Sequence, residues 1–226
     1  LDGAREGDLV VAEIIRYPSE RTGAEGRVVR VIGRSGEAAI DTDTVIEEFE
    51  LPRVFPPEVE RAAEGVPDRV TPAMRHGRQD LRTLPTVTID GEHAKDFDDA
   101  VSIEALPHDG ARLWVHIADV SAYVPWDGPM DLEARRRATS VYFPDRVIPM
   151  FPERLSNGIC SLNPREDRLT LTCEMDFDAR GQRTRYRLYP SVIASDERLT
   201  YTAVGRILEH GDPELCRRYA AILDPL

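Results

Sequence analysis

Short apolar runs separated by polar residues characterise the start of the chain. Residues 8–16 and 26–34 are rich in Val and Ile, and a weaker run covers about 37–41. β-branched runs of this length, joined by a link that contains Gly and Ser, favour β-strands. The pattern therefore predicts part of a small antiparallel β-barrel over residues 1–55, with too few strands to close it.

Prolines dominate the next stretch. Six of them fall between Leu51 and Pro85, and they interrupt short helix-favouring pieces such as 57–64. Proline lacks a backbone N–H and ends or bends regular elements. We expect residues 56–80 to form a linker or strap that packs on a larger body.

The pattern from about residue 81 to residue 226 predicts a second body with a mixed β-sheet and helices. Asp-Gly lies between two alternating runs, which is a strong hairpin signal, and Leu169 to Phe177 alternate with polar residues, as in a half-buried strand. The predicted strands are 84–90, 100–106, 112–118, 169–177 and 183–194, and the predicted helices are 131–138 and the tail from about 202. The chain is thus predicted to be an α+β protein.

Composition and charge narrow the possible functions. The 226 residues are 41% hydrophobic, which is enough to bury a core, but 29 basic against 41 acidic residues give a net charge of −12. This charge argues against a general basic field that grips nucleic acid, so a phosphate partner would need local arginine clusters or bound cations. Three scattered cysteines and the absence of a long apolar run indicate a cytoplasmic protein without a membrane partner.

Four aspartates lie within ten residues, just after one predicted strand and just before a hairpin: Asp90, Asp96, Asp98 and Asp99. Two carboxylates about 5 Å apart repel each other by roughly 3 kcal/mol at an effective dielectric constant near 20. Four converging carboxylates must therefore bind a proton or a divalent cation, or they must point apart into water.

The spacing of these aspartates favours a metal site. In an extended chain Asp96 and Asp98 project to one side while Phe97 turns towards apolar surroundings. Ligation by oxygen alone suits Mg²⁺ or Mn²⁺, and several carboxylates fit a two-metal phosphoryl-transfer site. A solvated acidic loop and a structural Ca²⁺ loop stay open as alternatives, although the segment does not match the EF-hand pattern.

Long motifs in the chain resemble the ribonuclease II/R family of 3′→5′ exoribonucleases, and the ribonuclease R branch more than the ribonuclease II branch. The motifs are TIDGEHAKDFDDAVS, RLWVHIADVSAYV, ATSVYFPDRVIPMFPERLSNGICSLNP and RLTYTAV. The resemblance implies that residues 1–55 are the later part of an OB-like cold-shock domain. It also implies that residues 81–226 are the first part of an RNB catalytic domain.

The resemblance implies a role for five residues. Asp90, Asp96, Asp98 and Asp99 match the family's metal-site aspartates, and Tyr142 matches the aromatic residue that stacks on the 3′-terminal base. The implied reaction is processive hydrolysis of single-stranded RNA from its 3′ end by two Mg²⁺ or Mn²⁺ ions, releasing nucleoside 5′-monophosphates. The family's catalytic arginine and glutamate are expected beyond Leu226.

Other residues have weaker functional signals. Arg135 and Arg136 are candidates for contact with RNA phosphates, although a solvated helix face also explains them. Trp114 and His116 alternate with apolar residues on a strand, which favours a role in packing.

Two further hypotheses compete with the enzyme. The chain could be an RNA-binding OB/RNB fragment that binds RNA and metal without turnover, since OB folds bind single strands by stacking and backbone contacts. It could also be an inert piece with an open sheet edge. Nothing in the sequence indicates an obligate protein partner.

Overall fold

A computed structural model describes residues 3–34, 38–211 and 213–223. The β-strands are β1 Asp8–Arg16, β2 Glu25–Arg34, β3 Gln79–Asp80, β4 Val87–Asp90, β5 Asp99–Leu106, β6 Gly110–Ala118, β7 Val141–Tyr142, β8 Val147–Ile148, β9 Arg168–Phe177, β10 Arg183–Ile193 and β11 Glu197–Thr200. The α-helices are α1 Ala38–Glu48, α2 Pro57–Glu64, α3 Pro129–Arg137, α4 Tyr201–His210 and α5 Pro213–Leu223. Most of the predicted elements are confirmed.

The chain divides into two compact units. The first contains residues 1–55 and 136–150, and the second contains residues 56–135 and 151–226. The short segment 136–150 thus groups with the first unit, which no sequence pattern indicated. Whether the boundaries near residues 55 and 80 delimit independently folding domains stays a prediction.

In the first unit, β1 and β2 form an antiparallel hairpin, as predicted. The strand predicted at 37–41 is wrong: Ala38 starts α1, and Glu37 lies outside the described residues. Ile40 and Ile46 are buried, and a Cβ on Gly33 would lie only 2.6 Å from Ile40 Cδ1. The close approach of helix to hairpin at this glycine lets tertiary packing override the strand preference of the β-branched residues.

The 136–150 segment is joined to the rest of the first unit by polar contacts. Thr42 Oγ1 donates to Asp145 Oδ1 at 3.1 Å, and Arg146 pairs with Asp43 at 3.1 Å. The buried Arg137 donates to the carbonyl of Val54. These contacts join positions about a hundred residues apart in sequence, which explains why local patterns did not reveal them.

The second unit is built on a seven-stranded mixed sheet with the order β11-β4-β5-β6-β9-β10-β3. The β11–β4 and β10–β3 pairs are parallel and the others antiparallel. The predicted hairpin is β5–β6. Helices α4 and α5 pack on the β11–β4 end of the sheet, where Val87, Leu199, Ile207 and Tyr219 form a buried cluster.

The alternating pattern of β9 is buried in the opposite sense from a usual half-buried strand. Thr170, Thr172 and Glu174 are buried, whereas Leu171 is exposed. On neighbouring β10, Leu188 is 72% exposed. The predicted half-buried strand is confirmed, and its buried polar side chains find hydrogen-bond partners inside the unit.

Those partners form a line of hydrogen bonds across the sheet. Thr86 Oγ1 lies 2.7 Å from Ser102 Oγ, which lies 3.1 Å from His116 Nε2. His116 Nδ1 lies 2.8 Å from Thr172 Oγ1, which in turn contacts the Ser191 hydroxyl. All five residues are buried. His116 therefore has a packing and hydrogen-bonding role, as the sequence indicated.

In the described part of the chain, every helix is too short or too polar to cross a lipid bilayer.

His116 makes the fold sensitive to acid. Burial lowers the pKa of His116 to about 4, whereas an unfolded histidine titrates near 6.5. Its contribution to the free energy of unfolding is thus complete above about pH 6.5 and falls as the pH drops towards 4, by at most about 3 kcal/mol. Urea unfolding between pH 7 and 5 should show this loss in the wild type and in His76→Gln, at an exposed histidine, but not in His116→Gln. If the free energy of unfolding of His116→Gln fell between pH 7 and pH 5 as steeply as that of the wild type, this assignment would be contradicted.

Candidate metal and RNA site

The acidic segment connects β4 and β5, which are neighbours in the seven-stranded sheet. Asp90 is the last residue of β4 and Asp99 is the first residue of β5. Residues 91–98 form the loop between them, which we call the acidic loop and which carries Asp96 and Asp98. The four predicted aspartates thus sit on two strand ends and one connection, as the sequence predicted.

The part of the acidic loop next to β4 is held by Arg198 on β11. The Arg198 guanidinium donates to the carbonyls of Gly91, at 3.0 Å, and Glu92. It also lies over the ring of Phe97, with 5.0 Å between the guanidinium carbon and the ring centroid. Thr202 adds a hydrogen bond to the Glu92 carboxylate. These contacts fix the loop to the neighbouring strand and helix.

The part of the acidic loop next to β5 is held by contacts with the segment that precedes β9. Phe97 is buried against Leu162 and Ile193. The N–H of Leu162 donates to the Phe97 carbonyl at 2.9 Å, and the N–H of Phe97 donates to Ser161 Oγ at 3.0 Å. Phe97 therefore anchors the loop in the apolar interior, while the aspartates on either side stay nearer the surface.

Burial and nearby negative charge raise the pKa values of Asp98 and Asp99. Loss of hydration raises the pKa of Asp98, and repulsion from Asp96, Asp99 and Asp90 raises it further. Loss of hydration, followed by repulsion from Asp90, also raises the pKa of Asp99. The folded chain therefore holds negative charges where they destabilise each other, an arrangement that a bound cation relieves.

The donor set fits Mg²⁺ or Mn²⁺ in its chemistry. The four aspartates supply oxygen donors only, as these hard cations prefer. Asp90 Oδ1 is already oriented by the N–H of Gly91 at 2.7 Å. Within the described ranges, however, no three acidic, histidine or cysteine side chains are grouped closely enough to hold an ion. The ligand types are brought to one place, but their side chains do not converge in this structure.

The three predicted RNA-contacting residues lie outside the acidic loop, on β7 and α3. Tyr142 is on β7 in the first unit and is 61% exposed. Arg135 is exposed on α3, but its guanidinium pairs with Asp127 and Asp131 and stacks on Trp126. Arg136 is also exposed on α3. The acidic partners of Arg135 reduce its attraction for phosphate.

Sequence reasoning missed Ser161 and Arg198 as supports of the acidic loop. Both lie inside motifs that were noted, SNGICSLNP and RLTYTAV, yet neither residue type signals its role. The four-residue β11 was not predicted, and its parallel pairing with β4 brings Arg198 to the loop. No local pattern reveals such a pairing between segments about a hundred residues apart.

Comparisons with known families agree with this architecture. The RNB domain matches residues 78–224, and a cold shock domain matches residues 1–56. The chain belongs to the RNB-domain family. Together the two matches confirm the predicted fold class, a cold-shock-type barrel portion followed by an α+β RNB portion.

Curated relatives of this RNB-family chain are named ribonuclease R. Those from Escherichia coli and Thermotoga maritima are both 49% identical over 99% of the chain, which covers 27% and 32% of their lengths. The relative from Acidithiobacillus ferrooxidans is 46% identical over 97% of the chain and 50% of its own length. The chain thus spans between about a quarter and a half of these relatives.

Comparison with solved structures agrees with the assignment to the RNB family. Mycoplasma genitalium RNase R in complex with double-stranded RNA superposes with a TM-score of 0.87 and 29% identity, over 100% of this chain and 40% of that one. Yeast Ssd1, a pseudonuclease, gives a TM-score of 0.74 at 17% identity over 95% of this chain and 28% of that one, which shows a shared fold alone. An RNB-family fold is therefore compatible with a protein named as a nuclease and with one named as a pseudonuclease.

Because the carboxylates of the acidic loop repel each other, removing one negative charge is expected to stabilise the metal-free chain. Asp98→Asn should raise the free energy of unfolding at pH 7 in EDTA, because a raised folded-state pKa means that the ionised carboxylate destabilises the fold. Urea unfolding measures this change. Glu104→Gln is the matched control, since Glu104 faces Arg112 across β5 and β6 and its neutralisation removes an attraction. A loss of stability in Asp98→Asn would contradict the arrangement.

Proposed function

We propose that this chain carries the hydrolytic centre of a processive 3′→5′ exoribonuclease that shortens single-stranded RNA and releases nucleoside 5′-monophosphates. The observation that carries the proposal is the clustering of Asp90, Asp96, Asp98 and Asp99 at one end of β4 and β5 in an RNB-family chain. The names of the relatives and the RNA in the Mycoplasma genitalium structure support RNA as the substrate.

The acidic side chains would hold Mg²⁺, with Mn²⁺ as a substitute. Two such ions, when bound, supply Lewis acidity at the scissile phosphate and acidify a water molecule. The role of the protein is to present oxygen ligands from fixed positions, and Asp98 is the central one because three other carboxylates act on it. Loss of hydration and the charges of its neighbours raise the pKa of Asp98, so a cation bound there would relieve an unfavourable charge.

Binding of the RNA chain is assigned to other residues. Tyr142 is exposed and would stack on the 3′-terminal base, an interaction worth roughly 1–3 kcal/mol. Arg135 and Arg136 would contact phosphates as the strand is drawn in, and Arg135 also pairs with two aspartates. With a net charge of −12, the chain depends on such local contacts and on cations for its hold on RNA.

The second candidate is an RNA-binding module without turnover. One observation favours it: no three potential ligand side chains converge within the described residues. In this case the cold-shock portion would bind RNA, and the acidic loop would bind cations without completing a reaction.

A degradation assay distinguishes the two candidates. Single-stranded RNA with a 5′ label is incubated with the chain in Mg²⁺ or in EDTA. The exoribonuclease predicts stepwise shortening from the 3′ end and release of 5′-monophosphates in Mg²⁺ only. Asp98→Asn should slow the reaction by at least about a hundredfold while RNA affinity changes little, because the carboxylate acts on the reacting phosphate rather than on the rest of the strand.

Glu104→Gln serves as the control and should leave the rate unchanged. Retention of RNA without shortening would support the binding module. Shortening that persists in EDTA or in Asp98→Asn would show that the acidic cluster is not the reaction centre.

A further inference from the structure

The hydroxyl group of Ser161 bridges two peptide groups of the acidic loop. Ser161 Oγ accepts a hydrogen bond from the N–H of Phe97 at 3.0 Å and donates one to the carbonyl of Lys95 at 2.8 Å. The two peptide groups flank Asp96. A single side chain thus satisfies the backbone on both sides of this aspartate, as a neighbouring β-strand would do.

Ser161 is itself held firmly. It is fully buried, and its carbonyl accepts a hydrogen bond from Arg168 Nε at 2.6 Å. Arg168 is buried as well, and it also donates to the carbonyl of Gly158 at 3.2 Å. The backbone of Ser161 is therefore held by a hydrogen bond from a buried arginine that lies outside the acidic loop.

This bridge acts against the electrostatics of the loop. Repulsion between Asp96 and Asp98 favours backbone conformations that turn the two carboxylates apart. Fixing the Lys95 carbonyl and the Phe97 N–H restricts the backbone dihedral angles of Asp96, which lies between them. A glycine or alanine at position 161 would leave the buried Phe97 N–H without this acceptor.

We propose that Ser161 is a positioning residue that sets the backbone at Asp96 and so keeps its carboxylate near that of Asp98 for cation binding. The inference rests on the proposed metal-dependent function. Ser161 does not touch the cation or the RNA in this role; it acts through the main chain of the loop.

The structure offers a matched control for this role. Ser195 is also buried, and its hydroxyl donates to the carbonyl of Leu162 at 2.9 Å. Ser195→Ala therefore removes a buried serine hydroxyl from the same region without removing a contact to the acidic loop. A general loss of stability should be similar in Ser161→Ala and Ser195→Ala.

The test measures Mn²⁺ binding by the whole chain, with electron paramagnetic resonance of free Mn²⁺ as the readout, and amide hydrogen exchange without metal. Ser161→Ala should weaken Mn²⁺ binding about tenfold or more, the usual scale for a lost support of a ligand. The Phe97 amide should exchange faster in Ser161→Ala. Ser195→Ala should retain wild-type Mn²⁺ affinity and a protected Phe97 amide.

The Mn²⁺ affinity and the exchange rate of the Phe97 amide together decide whether Ser161 has this positioning role. Equal Mn²⁺ affinity in Ser161→Ala and wild type, or an equally protected Phe97 amide, would overturn the inference. If the wild type binds no Mn²⁺, the proposed function fails, and the exchange of the Phe97 amide still decides whether Ser161 fixes the loop. Should Ser161→Ala not fold, Ser161→Cys fills nearly the same space with a weak hydrogen-bonding group and is expected to lose affinity in the same way.

Discussion

Mutual repulsion among four carboxylates is the constraint on which the site depends. Asp98 lies near three other aspartates, and both loss of hydration and their charges raise its pKa. Such a loop is not stable by its own contacts and must be held in place by the rest of the fold. Arg198 holds one part of it, and Phe97 with Ser161 holds the other. The chain thus keeps four acidic residues in one region of the fold, where a bound cation would relieve their repulsion.

The sheet supplies the rigid frame for these supports. A line of buried hydroxyl groups and the imidazole of His116 joins the strands from Thr86 to Ser191. Because each polar group has a partner, the buried polar side of β9 is compatible with a stable interior. On the other side of these strands Leu171 and Leu188 are exposed, whereas Leu169 is buried. Helices α4 and α5 cover only the end of the sheet next to β11 and β4.

Features with a local signal could be predicted from the sequence. The Asp-Gly turn predicts the β5–β6 hairpin, and the run of acidic residues after Ile89 predicts where the candidate site lies. The motifs that resemble the RNB family are long. The RNB-domain match over residues 78–224 confirms the assignment to this family. In these cases the residues that carry the signal lie next to each other in the chain, so neighbouring positions contain the information.

Features that depend on distant contacts could not be predicted. The weak apolar run at 37–41 predicts a strand, but Ile40 packs against Gly33 and the helix begins at Ala38. The parallel pairing of β11 with β4 joins residues about a hundred positions apart, and only this pairing brings Arg198 to the acidic loop. Ser161 is an ordinary serine in sequence, and its role follows from where the chain places its hydroxyl.

The most direct test of the central claim is a crystal structure of the chain soaked in Mn²⁺, with anomalous scattering used to locate the metal. The account predicts an anomalous peak among the carboxylates of Asp90, Asp96, Asp98 and Asp99, with the loop backbone unchanged between Lys95 and Phe97. Carboxylates that point apart into solvent, with no Mn²⁺ between them at saturating concentration, would contradict it.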